Sequence, residues 1–181
     1  RNDNKDIKVI IGSANTSHEG WVSTNEYSIN LVDINSFLKF FKYNEVDNFL
    51  AEHVFEHLTY EQGIIGAQNC YKFLKKNGRF RIAVPDGYNP NQEYINYVKP
   101  GGNGPGCDDH KILYNYRSLS EVFLKAGFKV EKLEYFDENN NFQNLPWDIN
   151  EGFIKRSFQY DERNKEGRLH YTSVIIDAVK V

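Results

Sequence analysis

Short apolar runs separated by turn residues predict a series of buried strands along the chain. The first run, residues 8–11 (KVII), ends at Gly12, and the run at 79–84 (RFRIAV) ends at the turn sequence Pro85-Asp86-Gly87. Residues 129–136 alternate between apolar and polar side chains, which also indicates a strand. Further strands are predicted at 20–24, 29–32, 46–51 and 171–181.

Two other segments place apolar residues near the helical period. The first is predicted over 59–78, where Thr59 is a suitable N-terminal cap and Gly78 stands where a glycine ends a helix. Its apolar face consists of Ile64, Ile65, Ala67, Tyr71, Phe73 and Leu74. The second helix is predicted over 118–126 and ends before Gly127.

Strands that alternate with helices across short turns are typical of a parallel sheet covered by helices. We therefore expect an α/β fold, a Rossmann-like and mostly parallel sheet with helices on both faces and an antiparallel edge strand. The antiparallel strand is expected because loops, without a clear helix, join the last two strands. The length fits one domain, 1–181, with a long loop insertion at about 87–116 that is rich in Gly, Pro and Asn.

Composition narrows the class of protein. Of the 181 residues, 40% are hydrophobic and 26% are charged, which is enough apolar material for a packed core. The formal net charge of −3 argues against a nucleic-acid partner, since non-specific binders carry a basic face. No apolar run approaches the roughly 20 residues of a membrane span.

Two distant cysteines, Cys70 and Cys107, favour a reducing compartment, so we expect a cytoplasmic protein. The sequence predicts no particular oligomeric state.

The residues that follow each predicted strand lie at the sheet edge where open α/β proteins bind ligands, and most of them are polar. These candidates for binding or catalysis are Gly12, Ser13, Ala14, Asn25, Glu26, Asp33, Glu52, His53 and Asp86. Asn25 and Glu26 are of the type that accepts hydrogen bonds from both ribose hydroxyls of a nucleoside cofactor. The loop is not a GxGxxG motif, so a nicotinamide-dependent reductase is disfavoured.

Histidines near acidic residues raise the question of a metal. Residues 52–58 read EHVFEHL, which places His53 and His57 four residues apart, but the order is HVFEH and not the HExxH of zinc proteases. The contiguous group Cys107-Asp108-Asp109-His110 also rarely closes a tetrahedral site. We therefore predict no metal, and a strand-to-helix junction beside a cleft at 52–58.

These residues resemble the class I S-adenosylmethionine-dependent methyltransferases, and among them a small methyltransferase type 11-like group. That group opens with LNxGCGxxxxxGWxNxD, and this chain has IIGSA at 10–14 and GWVSTN at 20–25. The group's EHVLEHL and GRxRIxVPD match 52–58 and 78–86, and its DHK and AGF motifs match 109–111 and 126–128. Its tail pattern of RS, D, RN, G, YTS and DA matches positions between 156 and 178.

The resemblance implies S-adenosylmethionine as cofactor and methyl transfer to a small or medium-sized acceptor molecule. It places the cofactor on Gly12, Ser13, Ala14, Asn25, Glu26, Asp33, Glu52 and His53. Two positions depart from the pattern, because the group's GCG is Gly12-Ser13-Ala14 here and its aspartate is Asn25, with Glu26 beside it. These departures leave open an alternative, a catalytically degenerate binding or scaffold protein on the same fold.

A methyltransferase needs little covalent help, because the sulfonium already activates the methyl group. The protein holds the acceptor in line with the S–CH₃ bond, and a base within hydrogen-bond reach raises the rate by about 10²-fold or more. The candidates for that base are His53, Asp86 and His110, of which His110 lies in the glycine-rich loop.

Overall fold

A computed structural model describes residues 6–181, and within them seven strands form one sheet. In chain order the strands are β1 (Lys8–Ile11), β2 (Trp21–Ser23), β3 (Val46–Glu52), β4 (Leu74–Pro85), β5 (Lys129–Phe136), β6 (Phe142–Asn144) and β7 (Ser173–Val179). Their order across the sheet is β2-β1-β3-β4-β7-β5-β6. Strands β2, β1, β3 and β4 are parallel to one another.

The helices begin at side-chain caps. They are α1 (Ile34–Leu38), α2 (Tyr60–Phe73), α3 (Gln92–Val98) and α4 (Tyr116–Lys125), with 3₁₀ turns at Phe55–His57, Ile149–Glu151 and Glu162–Gly167. Thr59 and Gln62 form a capping box on α2, and Asn115 and Ser118 form another on α4. None of the helices within residues 6–181 has the length and apolar character to cross a membrane.

The sheet confirms the predicted Rossmann-like, mostly parallel architecture and corrects its antiparallel part. The C-terminal strand β7 runs antiparallel between β4 and β5, in the interior of the sheet. The antiparallel edge strand is β6, in a region whose many asparagines predict only turns. A short strand that pairs on one side with β5 needs little apolar sequence, so its pattern is weak.

Three local predictions were wrong. Residues 29–32 form turns and not a strand, because Ile29 and Leu31 are buried under α2, where Gly66 lets Leu31 approach closely. Helix α2 ends at Phe73, well before Gly78, because Leu74 already pairs with Val46 as the start of β4. The predicted loop at about 87–116 contains a helix, α3.

The two faces of the sheet are covered differently. On one face the buried side chains of α1, α2 and α4 pack with the sheet around Phe37, Phe73 and Phe123 in the larger apolar cluster. On the other face Ile10, Leu50, Ala83, Leu133 and Ile175 pack against Ile154 and Trp147, which belong to the irregular segment 145–160. Helices therefore cover one face, and not both faces as was predicted, and this segment takes their place on the other face.

A buried ion pair fastens that segment to the sheet. Arg81 of β4 is 1% exposed and donates Nε–H and Nη2–H to the two carboxylate oxygens of Asp177 of β7, both at 2.8 Å. Its Nη1 donates to the carbonyl oxygens of Asp148 and Gly152, both at 2.7 Å, and its guanidinium lies 4.8 Å from the ring centre of Trp147. One side chain thus joins two strands and the covering segment.

Asp86 joins the ends of two other elements. Its carboxylate is fully buried and accepts the backbone N–H of Tyr88 at 3.0 Å and that of Phe136 at 2.7 Å, so it links the end of β4 to the end of β5. Burial raises the pKa of Asp86 to about 6, although both hydrogen bonds act in the opposite direction.

Removal of Arg81 should destabilise the protein strongly. We expect Arg81→Met to lower the free energy of unfolding by about 3 kcal/mol, because Asp177 keeps only its contact with Arg79 at 2.6 Å and the carbonyl oxygens of Asp148 and Gly152 lose their donor. The combined Arg81→Met, Asp177→Leu variant should recover part of that loss. Urea denaturation measures both, and Lys125→Met, which removes an exposed ion pair with Glu121, should leave the urea midpoint close to that of the natural chain. Equal losses in the single and double variants would contradict the interpretation.

Asp86 should make stability depend on pH. Because its pKa is higher in the folded protein than in the unfolded chain, its stabilising contribution is complete below about pH 4 and is lost as the pH rises through about 6. The unfolding free energy of the natural chain minus that of Asp86→Asn should therefore fall by roughly 3 kcal/mol between pH 4 and pH 7.5. Parallel pH curves for the two proteins would show that Asp86 does not titrate in this range.

Candidate functional site

The first cavity, called here the switch-point cavity, lies where the strand order changes direction. From β1 the chain continues to β2 on one side and later to β3 on the other. The cavity has a volume of about 380 Å³ and is lined at this point by Ile11 and Gly12, which end and follow β1, and by His53 and Val54, which follow β3. Open α/β sheets bind ligands at such a switch point.

Gly12 brings the backbone of the first loop into the cavity wall. Its φ of +62° lies in the left-handed region, and a Cβ built on it would lie 2.7 Å from Cγ2 of Val54. Residues 13 and 14 turn away from the cavity: the Ser13 N–H donates to the carbonyl oxygen of Thr24 at 2.7 Å, and Ala14 is exposed with a φ of +46°. Of the predicted glycine-loop residues, Gly12 alone lines the switch-point cavity as the structure describes it.

Of the three polar residues predicted after the second and third strands, only Glu26 lines this cavity. The amide oxygen of Asn25 accepts the backbone N–H groups of Tyr27 and Ser28, both at 3.1 Å, and so closes a turn. Asp33 accepts the N–H of Asn35 at 3.0 Å and caps α1. The rest of the cavity wall consists of apolar Ile29, Leu31 and Leu58, with Asn30, His57 and Asp109.

A second cavity, called here the histidine cavity, shares His53 and His57 with the first. Its volume is about 320 Å³, and the polar side chains in its wall include Glu56, His110, Arg156 and Arg163. The loop before α4 supplies His110, and the C-terminal third of the chain supplies both arginines. Residues far apart in sequence therefore meet at the end of β3.

His53 stands between the two cavities in a constrained conformation. Its φ is +56°, its Nδ1 lies 3.2 Å from Oε1 of Glu56, and its Nε2 lies 3.2 Å from Oγ of Ser173. The Ser173 hydroxyl donates its proton to the carbonyl oxygen of Arg156 at 2.7 Å, so Nε2 of His53 is the donor in the contact with Ser173. Burial, and then the charge of Arg156, hold the pKa of His53 well below its usual value, so the ring is neutral at pH 7.

Glu56 is the most unusual group of the histidine cavity. Its side chain is 1% exposed, and no other described residue donates a hydrogen bond to its carboxylate. Oε1 lies 3.2 Å from Nδ1 of His53, which carries no proton because Nε2 is the donor to Ser173. Burial raises the pKa of Glu56 to about 7, against the opposing effects of its own backbone N–H and then of nearby His57 and His110. A buried carboxylate with so few partners makes Glu56 a candidate functional residue.

The C-terminal segment is fixed over the histidine cavity by Glu52. The carboxylate of Glu52 accepts the backbone N–H of Lys155 at 3.2 Å and that of Arg156 at 2.8 Å. Arg163 donates to both carboxylate oxygens of Asp161, at 2.8 and 2.6 Å, and its guanidinium lies 3.6 Å from the ring centre of Tyr171. Glu52, predicted as a cofactor contact, thus lies outside both cavities and holds the wall of the histidine cavity.

The structure brings together some of the predicted site residues and separates others. Gly12, Glu26 and His53 meet at the switch-point cavity, and His110 joins His53 at the histidine cavity. Asp86, a predicted base, lines neither cavity and holds backbone N–H groups instead. Sequence reasoning missed Glu56 and Arg156 as site residues, although both belong to the motifs at 52–58 and 156–178.

A larger and shallower hollow, of about 660 Å³, lies at the opposite end of the strands. Its wall includes Lys8 and Trp21, the first residues of β1 and β2. It therefore lies away from the carboxyl ends of the parallel strands, and it contains neither His53 nor Glu56.

No family model matches this chain, and no curated protein matches its sequence. Solved structures do match its fold. A SAM-dependent methyltransferase from Archaeoglobus fulgidus aligns over 97% of this chain and 86% of its own, at 18% identity and a TM-score of 0.53. A SAM-dependent methyltransferase from Thermotoga maritima aligns over 98% and 84%, at 14% identity and a TM-score of 0.54. The YcgJ protein of Bacillus subtilis aligns over 97% and 92%, at 10% identity and a TM-score of 0.52. The chain thus has the class I S-adenosylmethionine-dependent methyltransferase fold that its sequence motifs imply.

Proposed function

We propose that this protein transfers a methyl group from S-adenosylmethionine to a small polar acceptor. The observation that carries the proposal is the shared wall of the two cavities at His53 and His57. One cavity lies at the switch point, where this fold binds nucleotides. The other has a polar wall and shares His53 and His57 with the first. A cofactor and an acceptor in these two places would meet at His53.

The residues of the switch-point cavity fit the cofactor. Ile29, Leu31 and Leu58 provide an apolar slot of the kind that holds an adenine ring. Glu26 is the carboxylate available for the ribose hydroxyls, because Asn25 and Asp33 are engaged in a turn and a helix cap. Gly12 allows the ligand to approach the backbone closely. When bound, the cofactor supplies a methyl group already activated by its sulfonium.

The chain's own residues orient the acceptor and receive its proton. The acceptor's nucleophilic atom forms the new bond to carbon while the S–CH₃ bond breaks, so S-adenosylhomocysteine and the methylated acceptor are the products. The proton that the acceptor loses goes to a base in the histidine cavity, where His53 and His110 lie and Asp86 does not. Orientation of the two reactants is the main contribution expected from the protein.

The histidine cavity also indicates the size and polarity of the acceptor. A volume of about 320 Å³ suits a small molecule, and its polar wall suits hydrogen-bonding groups. Arg156 is the positive charge that can pair with an acceptor, because its contact with the Glu52 carboxylate is long, at 3.8 Å from Nε to Oε1. Arg163, by contrast, donates to Asp161 at 2.6 Å. We therefore propose an acceptor with an acidic group that pairs with Arg156.

The second candidate function is a binding protein that has lost catalysis. Two observations favour it: Asn25 uses its side chain within its own turn, and Ala14 occupies the left-handed region where the family pattern has glycine. Under this alternative the natural chain lacks cofactor affinity, and the combined Ala14→Gly, Asn25→Asp variant acquires it.

Calorimetric titration with S-adenosylhomocysteine tests the first function. We expect one molecule to bind per chain, and Glu26→Gln to weaken the affinity about tenfold or more, because a charge-assisted hydrogen bond to the ribose is lost. Glu93→Gln removes an exposed carboxylate outside both cavities and should bind as the natural chain does. Absence of binding at millimolar ligand would favour the second candidate function.

A crystal structure of the S-adenosylhomocysteine complex tests the arrangement of the two cavities. We expect the sulfur to lie beside His53, between the cavities, with the adenine among Ile29, Leu31 and Leu58. Binding in the hollow near Lys8 and Trp21 would contradict the proposed site.

A further inference from the structure

Three side chains of the histidine cavity converge in a way that methyl transfer alone does not require. One oxygen of Glu56 and one ring nitrogen each of His57 and His110 lie within 4.8 Å of one another. Glu56 is almost completely buried, and no other residue among 6–181 donates a hydrogen bond to its oxygens, since the neighbouring Nδ1 of His53, 3.2 Å from Oε1, carries no proton. An ordinary structural carboxylate at such a depth would accept backbone N–H groups, as Asp86 does.

The hydrogen bonds of both histidines leave a nitrogen lone pair for a ligand. Nδ1 of His110 lies 2.8 Å from the carbonyl oxygen of Val98, which can only accept, so Nδ1 carries the proton. Nε2 of the neutral ring is then unprotonated, and it lies 4.0 Å from Oε1 of Glu56. His57 is held in the same way, because its Nδ1 lies 3.2 Å from the carboxylate of Asp109. Histidines that bind metals are held by such contacts with a backbone carbonyl or a carboxylate.

The backbone also fixes the loop that carries His110. The N–H of Lys111 donates to the carbonyl oxygen of Glu56 at 2.7 Å, and that of Ile112 approaches the same oxygen at 3.3 Å. These bonds hold His110 beside the 3₁₀ turn Phe55–His57, which provides the other two side chains. Three potential ligands are therefore placed by two rigidly connected segments and not by a free loop.

We propose that Glu56, His57 and His110 bind a divalent transition-metal ion of the zinc type. Two imidazole nitrogens and one carboxylate oxygen form a ligand set typical of zinc and neighbouring first-row metals, and not of magnesium or calcium. Ligand atoms in a tetrahedral site lie about 3.4 Å apart when the bonds are about 2.1 Å long, so small side-chain rotations close this cluster. With the ion bound, Nε2 of His110 is occupied, so His53 is the base that remains, and water or a polar acceptor from the histidine cavity can complete the coordination.

This site escapes sequence motifs because its ligands are not arranged as HExxH. Glu56 and His57 are adjacent, and His110 arrives from a segment more than fifty residues later. The order HVFEH, which argues against a protease-type zinc site, is compatible with a site completed by a distant histidine.

Zinc binding to the full chain, without any cofactor, tests the proposal. Protein treated with a chelator and dialysed against Zn²⁺ should retain one zinc per chain by elemental analysis, and calorimetry should show saturable binding. Glu56→Gln and His110→Ala should each weaken the affinity at least tenfold, as the loss of a ligand does. Millimolar Mg²⁺ should not displace the zinc. His170→Ala, which removes an exposed histidine outside both cavities, should bind zinc as the natural chain does.

Cobalt provides a second measurement that does not depend on affinity alone. Co²⁺ added to the natural chain should give visible absorption bands of a site with nitrogen and oxygen ligands, and Glu56→Asp, which keeps the carboxylate, should retain shifted bands. Circular dichroism checks that each variant is folded.

Two results would overturn the proposal. One is less than about a tenth of an equivalent of zinc after dialysis, which would mean that Glu56 simply holds a proton. The other is unchanged zinc affinity in folded Glu56→Gln and Glu56→Asp variants. Because these experiments use no S-adenosylmethionine, failure of metal binding leaves the proposed methyl transfer standing, and failure of S-adenosylhomocysteine binding leaves the metal site standing.

Discussion

The contact between Arg81 and Asp177 is the constraint on which the rest of the structure depends. It places a buried charged pair on the sheet face that the irregular segment covers, and it directs the remaining guanidinium protons at the carbonyl oxygens of Asp148 and Gly152. Because a buried guanidinium must satisfy its donors, the irregular segment 145–160 has to lie against the sheet there. That segment covers the face on which a Rossmann-like protein commonly has helices.

The position of the C-terminal segment in turn builds the site. Once residue 152 is fixed on the sheet, the next residues reach the end of β3, where Glu52 accepts the N–H groups of residues 155 and 156. Arg156 thereby enters the wall of the histidine cavity, and Ser173 orients the ring of His53. The stability of the sheet and the geometry of the site are thus connected through one covering segment.

The hydrogen-bond partners of their oxygens distinguish two buried acids, Asp86 and Glu56, that lie near strand ends. Asp86 and Glu56 are both removed from water, and burial raises the pKa of each. The oxygens of Asp86 accept the backbone N–H groups of Tyr88 and Phe136, so Asp86 is a structural link. Glu56 accepts no hydrogen bond from another described residue, and its Oε1 lies 3.2 Å from Nδ1 of His53 and 4.0 Å from Nε2 of His110, which makes it a candidate for binding a ligand. Burial alone therefore does not identify a functional acid; the partners of its oxygens do.

Much of the fold follows from the sequence because its signals are local. The apolar runs of β1, β3 and β5 and the capped starts of α2 and α4 are read from neighbouring residues. The end of α2 at Phe73 and the turns at 29–32 cannot be predicted from neighbouring residues. Strand pairing of Leu74 and packing of Leu31 under Gly66 override the local pattern there.

The candidate site, like the fold, was only partly predictable from the sequence. Gly12, Glu26 and His53 follow strands and were predicted from that position alone, since parallel strands end at one edge. Whether an acid beside them faces a cavity or its own turn depends on hydrogen bonds that distant residues complete, as Asn25 and Glu52 show. The sequence by itself predicted most of the strands and the sheet edge at which we propose that ligands bind. Only the tertiary structure decided which side chains meet there, because Glu56, His110 and Arg156 come together through packing between segments that share no local pattern.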